Sequence, residues 1–194
     1  MSHNPLFSIK AFFFLAFIIS LSSSPVRAQS FAVSTNIADW ASLGTANIET
    51  SLSIGQHFSV LIGGRYNPWT FYSKRHETVY QDRKKTGYLG IRYWPWYVYS
   101  GWWLTFKGQY EQFFTGGFLR PILEEGTAIG AGLSGGYTIM LHKHFNLEFG
   151  IGLWGGYFTD YAKYQCPDCI DPISSGPRGF LRFDDLYLSL CYVF

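Results

Sequence analysis

The last nine residues show the clearest pattern of hydrophobic and polar positions in the chain. Large apolar side chains occupy every second position: Leu186, Leu188, Leu190, Tyr192 and Phe194. The intervening positions form a second set: Tyr187, Ser189, Cys191 and Val193. Because successive side chains of a strand point to opposite faces, this period of two predicts a β-strand with one apolar face.

The same alternation recurs along the chain. It predicts strands over residues 31–37, 47–54, 58–67, 88–94, 102–111, 129–139, 145–153 and 186–194. The connections after the second, fourth and sixth strands are short. Those after the third, fifth and seventh are long and cover residues 69–85, 113–125 and 159–179. An even strand count with alternating short and long connections is typical of up-and-down barrels that have turns at one end and loops at the other.

The composition bears on which face of the strands meets solvent. Aromatic residues make up 20% of the chain and charged residues only 14%, and the charges fall on the strand face that also carries glycine and small polar residues. A soluble, lipocalin-like barrel would have the opposite arrangement, with apolar residues inside. The sequence therefore predicts an all-β, eight-stranded antiparallel up-and-down transmembrane β-barrel.

Aromatic residues also cluster where the predicted strands end, as in the girdles of membrane barrels. The predicted periplasmic girdle consists of Trp94, Trp96, Tyr97, Tyr99, Trp102 and Trp103. The predicted outer girdle consists of Trp69, Phe71, Tyr72, Tyr157 and Phe158.

The first 28 residues have the pattern of a secretory signal peptide. Lys10 precedes an apolar run over residues 11–21, and Val26 and Ala28 supply the small side chains of a cleavage site. We expect cleavage between Ala28 and Gln29, which leaves residues 29–194 as the barrel; an uncleaved anchor is the alternative. The apolar run is too short to span a bilayer as a helix. Removing residues 1–28 reduces the net charge from +2 to zero, so nucleic acid is not an expected partner.

Several short motifs follow one another along the chain, in residues 43–52, 64–69, 90–94, 136–138, 147–150 and 161–164. Their order resembles a family of small outer-membrane proteins, a domain of unknown function from gut and oral Gram-negative bacteria. The terminal aromatic strand is similar to the sorting signal of outer-membrane barrels. The resemblance implies an eight-stranded barrel in the bacterial outer membrane, with outer-membrane lipid and the barrel-assembly machinery as partners. Because some members of the family lie beside genes for fimbriae, it also suggests a surface or fimbrial component as partner. It implies no catalytic residues.

Two motifs have alternative interpretations. Residues 130–135 match G-x-G-x-x-G, but a dinucleotide site needs a helix after the motif, and here a strand pattern continues. Glycine that makes room in a narrow lumen is the favoured interpretation. Cys166 and Cys169 form a C-x-x-C motif in the long loop, where a redox pair or half of a zinc site is the alternative to a local disulfide. Cys191 is expected to be a free thiol facing inward.

Other polar clusters favour surface roles over chemistry. His142 and His144 flank Lys143 in a tight turn, where a solvated or lipid-phosphate-facing cluster is favoured over a metal site. The runs at residues 74–77 and 83–85 are basic and predict either lipopolysaccharide contacts or an ordinary solvated loop. Asp184 and Asp185 are adjacent and so cannot form a catalytic dyad on one strand face. We find no Ser–His pair at the outer rim, and expect no enzymatic activity, no cofactor and no metal.

Six charged residues lie at predicted inward positions: Glu49, Arg65, Arg92, Lys107, Glu111 and Glu148. An eight-stranded barrel has room inside only for side chains, and buried charges must pair. We therefore expect an internal ion-pair network in a plugged barrel without a pore. Glu49 with Arg65, and Arg92 and Lys107 near Glu111, are the expected neighbours. The expected function is a structural or surface-interaction role; the alternatives are a loop-based binding module for a fimbrial subunit, glycan or lipopolysaccharide, and a lipid-modifying enzyme.

Overall fold

A computed structural model describes residues 30–72, 79–116, 122–165 and 171–194. These residues form ten strands and one short helix. Their bounds are β1 Phe31–Asn36, α1 Ile37–Ala41, β2 Ala46–Ser53, β3 Phe58–Asn67, β4 Thr70–Tyr72, β5 Val79–Tyr93, β6 Gly101–Gly116, β7 Leu123–Met140, β8 Phe145–Tyr164, β9 Ser174–Ser175 and β10 Arg178–Val193. The α1 helix is too short to cross a membrane, and no helix of the described residues is long and apolar enough to do so.

Eight of the strands close into an antiparallel barrel, as the sequence predicts. The hydrogen-bonded order is β1, β2, β3, β5, β6, β7, β8 and β10, and β10 pairs with both β8 and β1. The two short strands add to this wall, β4 on β5 and β9 on β8. The barrel has a short-turn end, defined by residues 54–57, 94–100 and 141–144. At its long-loop end α1 follows β1.

The two strand faces differ as the alternation predicts. The outer wall carries large apolar side chains that are more than half exposed, such as Ile62, Leu89, Phe106, Leu133 and Ile151. The inner face of the same strands carries glycine, small polar residues, aromatic rings and charges, nearly all of them buried. Period-two alternation produces this segregation because each strand turns every second side chain inward.

Several strands are longer than the sequence pattern indicates. The predicted connections 69–85, 113–125 and 159–179 contain the first part of β5, the facing ends of β6 and β7, and the last residues of β8. Lys84, predicted in a loop, pairs with Asn67 in the β3–β5 ladder. These extensions mix polar and apolar residues without regular alternation, so hydrophobic periodicity does not detect them. Backbone hydrogen bonds nevertheless continue, because they do not depend on side-chain polarity.

Two β-bulges change which residues face inward near the long-loop end. One lies where Thr127 pairs with Asp160 but Ala128 pairs with Phe158, and the other lies between Phe183 and Asp185. A bulge adds one residue to a strand and so inverts the alternation beyond it. Tyr161, beyond the first bulge, is therefore buried inside the barrel. Phe158, predicted in the outer girdle, is also buried, because it shares the inward positions of Glu148 and Trp154 on β8.

The predicted short-turn girdle also divides into two sets. Trp94, Tyr99 and Trp103 lie inside, each at most 3% exposed, where they pack together with Tyr187 and Cys191. The placement of these three in a girdle was wrong, because Trp94 and Trp103 occupy inward positions of their strands. Trp96, Tyr97 and Trp102 are exposed, and so are Trp69 and Tyr157 of the predicted outer girdle.

The seam between β1 and β10 is short. β1 pairs with β10 only from Ala32 opposite Val193 to Asn36 opposite Ser189. Beyond this point the Asn36 side chain extends the pairing along β10. Its Nδ2 donates to the Leu186 carbonyl at 2.8 Å, and its Oδ1 accepts from the Leu188 N–H at 3.0 Å. The same Oδ1 accepts from Ala38 N and so caps α1, as Asn commonly does. The predicted connection after the first strand therefore contains a helix that packs on β10.

Some predicted features lie outside the described residues. These are the signal peptide with its cleavage site at Ala28 and Gln29, the Cys166–Cys169 pair, and the charge run at residues 74–77. The side chains of Phe71, Tyr72 and Asp184 also lie outside the described part. Cys191 is free and buried.

Candidate functional site: the charged interior of the barrel

The six charged residues that the sequence predicts inside the barrel all lie there. Lys107 is fully buried, and Arg65, the most accessible of the six, is only 8% exposed. They come from β2, β3, β5, β6 and β8 and so surround the lumen. A charge removed from water destabilises the fold unless it is paired. The partners of each charged group therefore determine whether the fold tolerates its burial.

Arg92 is the centre of the first group. Its Nη2 donates to Glu49 Oε1 at 2.9 Å and its Nη1 donates to Glu148 Oε2 at 2.9 Å. Its Nε donates to Thr105 Oγ1 at 2.9 Å, and the guanidinium carbon lies 4.5 Å from the Trp103 ring centroid. The planar guanidinium thus bridges two carboxylates on β2 and β8 across the lumen.

Asp185 is the centre of the second group. Its Oδ1 accepts from Arg65 Nη2 at 2.7 Å, and its Oδ2 lies 2.5 Å from Lys107 Nζ. Arg65 Nε in turn lies 2.9 Å from Oδ2 of Asp39, on α1. Lys107 Nζ also lies 4.7 Å from the centroid of the Tyr88 ring. This group connects β3, β6 and β10 and attaches α1 to the barrel wall.

Glu111 belongs to a third group, nearer the long-loop end. Its Oε1 forms a salt bridge with Arg182 Nη2 on β10, and its Oε2 accepts from Thr86 Oγ1 at 3.2 Å. The Arg182 guanidinium lies over the Trp154 ring, 5.1 Å from the centroid. The Arg182 side chain is 34% exposed, and a cation over an aromatic face is modestly favourable at such a partly exposed position.

The expected neighbours differ from the observed partners. Glu49 does not meet Arg65, because its partner in the β2–β3 register is Gly63 and Glu49 instead reaches Arg92. Arg92 does not pair with Glu111 either; it reaches across the barrel to Glu148. Long side chains in a narrow lumen meet partners on distant strands as readily as on adjacent ones, so strand adjacency was a poor guide to pairing.

Three charged members of the interior were absent from the predicted set. Asp185 shares the alternation of Tyr187 in the last strand, so this signal was present in the sequence. Arg182 faces inward only because of the bulge between Phe183 and Asp185. Asp39 enters the network from α1, a helix that the pattern did not indicate.

Aromatic layers enclose the charges at both ends. Trp94, Tyr99 and Trp103 pack at the short-turn end, and burial raises the pKa of the Tyr99 phenol in the turn to about 12. At the long-loop end the layer consists of Phe113, Trp154, Phe158, Tyr161 and Phe180. These rings fill the lumen above and below the ion pairs.

Inward glycines make room for the rings. A methyl group on Gly136 would meet the Phe149 carbonyl oxygen and would lie 2.5 Å from Trp103 Cζ2. Gly132 of the G-x-G-x-x-G motif lies in β7, where its added methyl would approach Lys107 Cε at 3.3 Å. The motif thus lies within a strand, and no dinucleotide site of the strand–turn–helix type is present there.

The arrangement is one of paired, desolvated charges. Within the described residues, no three His, Cys, Asp or Glu side chains are grouped so as to hold a metal ion. Each of these lumen carboxylates is bound by at least one cation, which favours a closed, structurally rigid interior.

Fold and interior together define a small closed β-barrel with a charged lumen. The chain belongs to the family described as protein of unknown function (DUF3575), whose model matches residues 11–194. No curated protein and no solved structure matches the chain.

Proposed function

We propose that the protein is an outer-membrane β-barrel with a structural or surface-interaction role and an interior closed to ions. Its immediate surroundings are then outer-membrane lipid, and the barrel-assembly machinery inserts it. The observation that carries the proposal is the segregation of the two wall faces: apolar side chains cover the outside while the ion pairs lie inside.

This segregation supports the proposal that the outer wall of the barrel contacts lipid. Ile48, Ile62, Leu89, Phe106 and Ile151 are each at least half exposed, and such side chains recur around the wall. A contiguous apolar surface of this kind is unusual on a monomeric soluble protein. The closed ladder between β10 and β1 satisfies backbone groups that lipid could not.

The filled lumen supports a closed interior. Trp94 and Trp154, one near each end, are at most 1% exposed, and the ion pairs of Arg92, Glu148 and Lys107 lie between these layers. Because these carboxylates already bind cations, we also propose that the role is not enzymatic.

The experiment is reconstitution of the full, folded protein. In planar lipid bilayers we expect no steady conductance, and in cell fractionation we expect the protein with the outer membrane. A stable open channel would contradict the closed interior, and recovery in the soluble fraction would contradict the membrane location.

A second candidate function is binding of a surface component, such as a fimbrial subunit, a glycan or lipopolysaccharide, at the long-loop end. A specific observation favours it: cavities of about 500 Å³ and 220 Å³ open beside α1 at this end of the barrel, above the ion pairs.

A further inference from the structure

The larger of these two cavities lies between the segment that follows α1, the start of β5 and the end of β6. We name it the mouth cavity; it has a volume of about 500 Å³ and is lined by Ser42, Leu43, Gln81, Asp82, Lys84 and Thr115, among others. Ser42 and Lys84 also line the smaller cavity, whose wall includes the network residues Arg65 and Glu111. The mouth cavity therefore lies directly above the charged interior.

A buried asparagine forms hydrogen bonds to three segments around the cavity. Asn67, 1% exposed, donates from Nδ2 to Thr45 Oγ1 at 2.9 Å and to Asp82 Oδ2 at 3.3 Å. Its Oδ1 accepts from the Trp69 backbone N–H at 3.0 Å. One side chain thus positions the α1–β2 segment, the β5 carboxylate and the tryptophan at the rim, as expected of a preorganised site.

The rim carries an exposed aromatic ring. Trp69 is 52% exposed, and its indole Nε1 donates to the Gly44 carbonyl at 3.3 Å. Gly44 and the adjacent cavity residue Leu43 both have positive φ, 71° and 52° respectively. A left-handed conformation is costly for leucine, and such strain concentrates at functional positions.

The polar lining is mixed and nearly neutral. Lys84 Nζ lies 3.3 Å from Asp82 Oδ2, so the two charges of the lining balance each other. Gln81 is 8% exposed, and its Oε1 accepts from Thr70 Oγ1 at 3.3 Å. Among the described residues no acceptor binds its buried Nε2, and a buried donor without an acceptor destabilises the protein unless a ligand or water binds it.

We propose that the mouth cavity binds a short neutral saccharide. Sugar rings present hydroxyl groups, which both donate and accept, and apolar C–H faces. The cavity offers an amide donor at Gln81, a carboxylate acceptor at Asp82 and hydroxyl groups at Ser42 and Thr115. The exposed ring of Trp69 does not line the cavity but lies beside it, against Gly44 next to the lining residue Leu43. A phosphate or other anionic group would need an unpaired cation, whereas Lys84 is paired with Asp82. The proposal specifies the ligand class for the second candidate function and rests on it.

The test is binding of the purified full chain, folded in detergent micelles, to an array of immobilised oligosaccharides. We expect retention on neutral oligosaccharides. Gln81→Leu and Trp69→Ala should each weaken the array signal about tenfold, the loss expected for one hydrogen bond or one ring contact in a small ligand.

Two matched variants at the short-turn end serve as controls. Trp96 is 54% exposed, close to the value for Trp69, and Gln56 is exposed in the turn after β2. Trp96→Ala and Gln56→Leu should leave binding unchanged. Circular dichroism and the heat-dependent electrophoretic shift of folded barrels establish that each variant is folded.

Absence of binding to any neutral oligosaccharide by the folded protein would overturn the proposal, as would binding restricted to anionic glycans. Equal losses for the mouth and control variants would also overturn it. These outcomes are separate from conductance and fractionation: a closed outer-membrane barrel that binds no saccharide would leave the structural role intact and remove only this inference.

Discussion

Replacement of Arg92 by glutamine gives the sharpest test of the interior network. Arg92 is 2% exposed and bridges Glu49 and Glu148, each at 2.9 Å. In Arg92→Gln the two carboxylates lose their shared cation but remain buried. Removing one partner of a buried ion pair costs about 3–5 kcal/mol. Here the removal of a single cation leaves two buried carboxylates without their partner. We expect the free energy of unfolding to fall by at least about 3 kcal/mol.

The matched control is Arg83→Gln on the same strand. Arg83 is exposed, and exposed charges contribute about 0–1 kcal/mol. Lys84, which the sequence placed in a loop, is not a suitable control because it pairs with Asp82. The assay is denaturant unfolding in detergent micelles followed by tryptophan fluorescence, with refolding curves that confirm equilibrium.

A compensated variant tests the physical reason. If the loss comes from unpaired buried acids, adding Glu49→Gln and Glu148→Gln to Arg92→Gln should recover most of it, because neutral amides tolerate burial far better than carboxylates do. The reasoning would be refuted by an Arg92→Gln loss no larger than that of Arg83→Gln, or by a triple variant less stable than the single one.

Three further predictions follow from packing and processing. Gly136→Ala should destabilise the barrel by about 1–3 kcal/mol, as overpacking does, whereas Gly87→Ala, whose added methyl would have nothing within 4 Å, should be nearly neutral in the same unfolding assay. Cys166 and Cys169 should be joined in the oxidising envelope; alkylation of both in the unreduced protein would contradict this. Intact mass of the membrane-extracted protein should show Gln29 as its first residue; a mass that retains residues 1–28 would disprove processing there.

The architecture of the wall can be read from the alternation of residues alone. Alternation in stretches such as 58–67 and 145–153 marks both the existence of a strand and its apolar face, because the direction of each side chain in a strand depends only on local backbone geometry. The inward position of Glu49, Arg92 and Glu148 follows from the same local rule. The even number of strands and the alternation of connection lengths then determined the topology.

The pairing of the interior charges, in contrast, depends on how the folded barrel brings distant strands together. Glu148 reaches Arg92 from β8 across the lumen, a contact between residues far apart in the sequence that depends on closure of the whole barrel. The bulges that bring Arg182 and Tyr161 inward depend on the fit between neighbouring strands, which periodicity does not encode.

Contacts between separate segments also determine the structure of the long-loop end. The α1 helix has only five residues, Ile37–Ala41, too few to nucleate by itself, so its stability comes from its contacts with the barrel. Asn67 joins segments that pairing of β2 and β5 with β3 brings together, and the mouth cavity exists only where those segments meet. Local side-chain periodicity therefore determined the wall of this barrel, whereas contacts between distant strands decided its interior pairing and its candidate binding site.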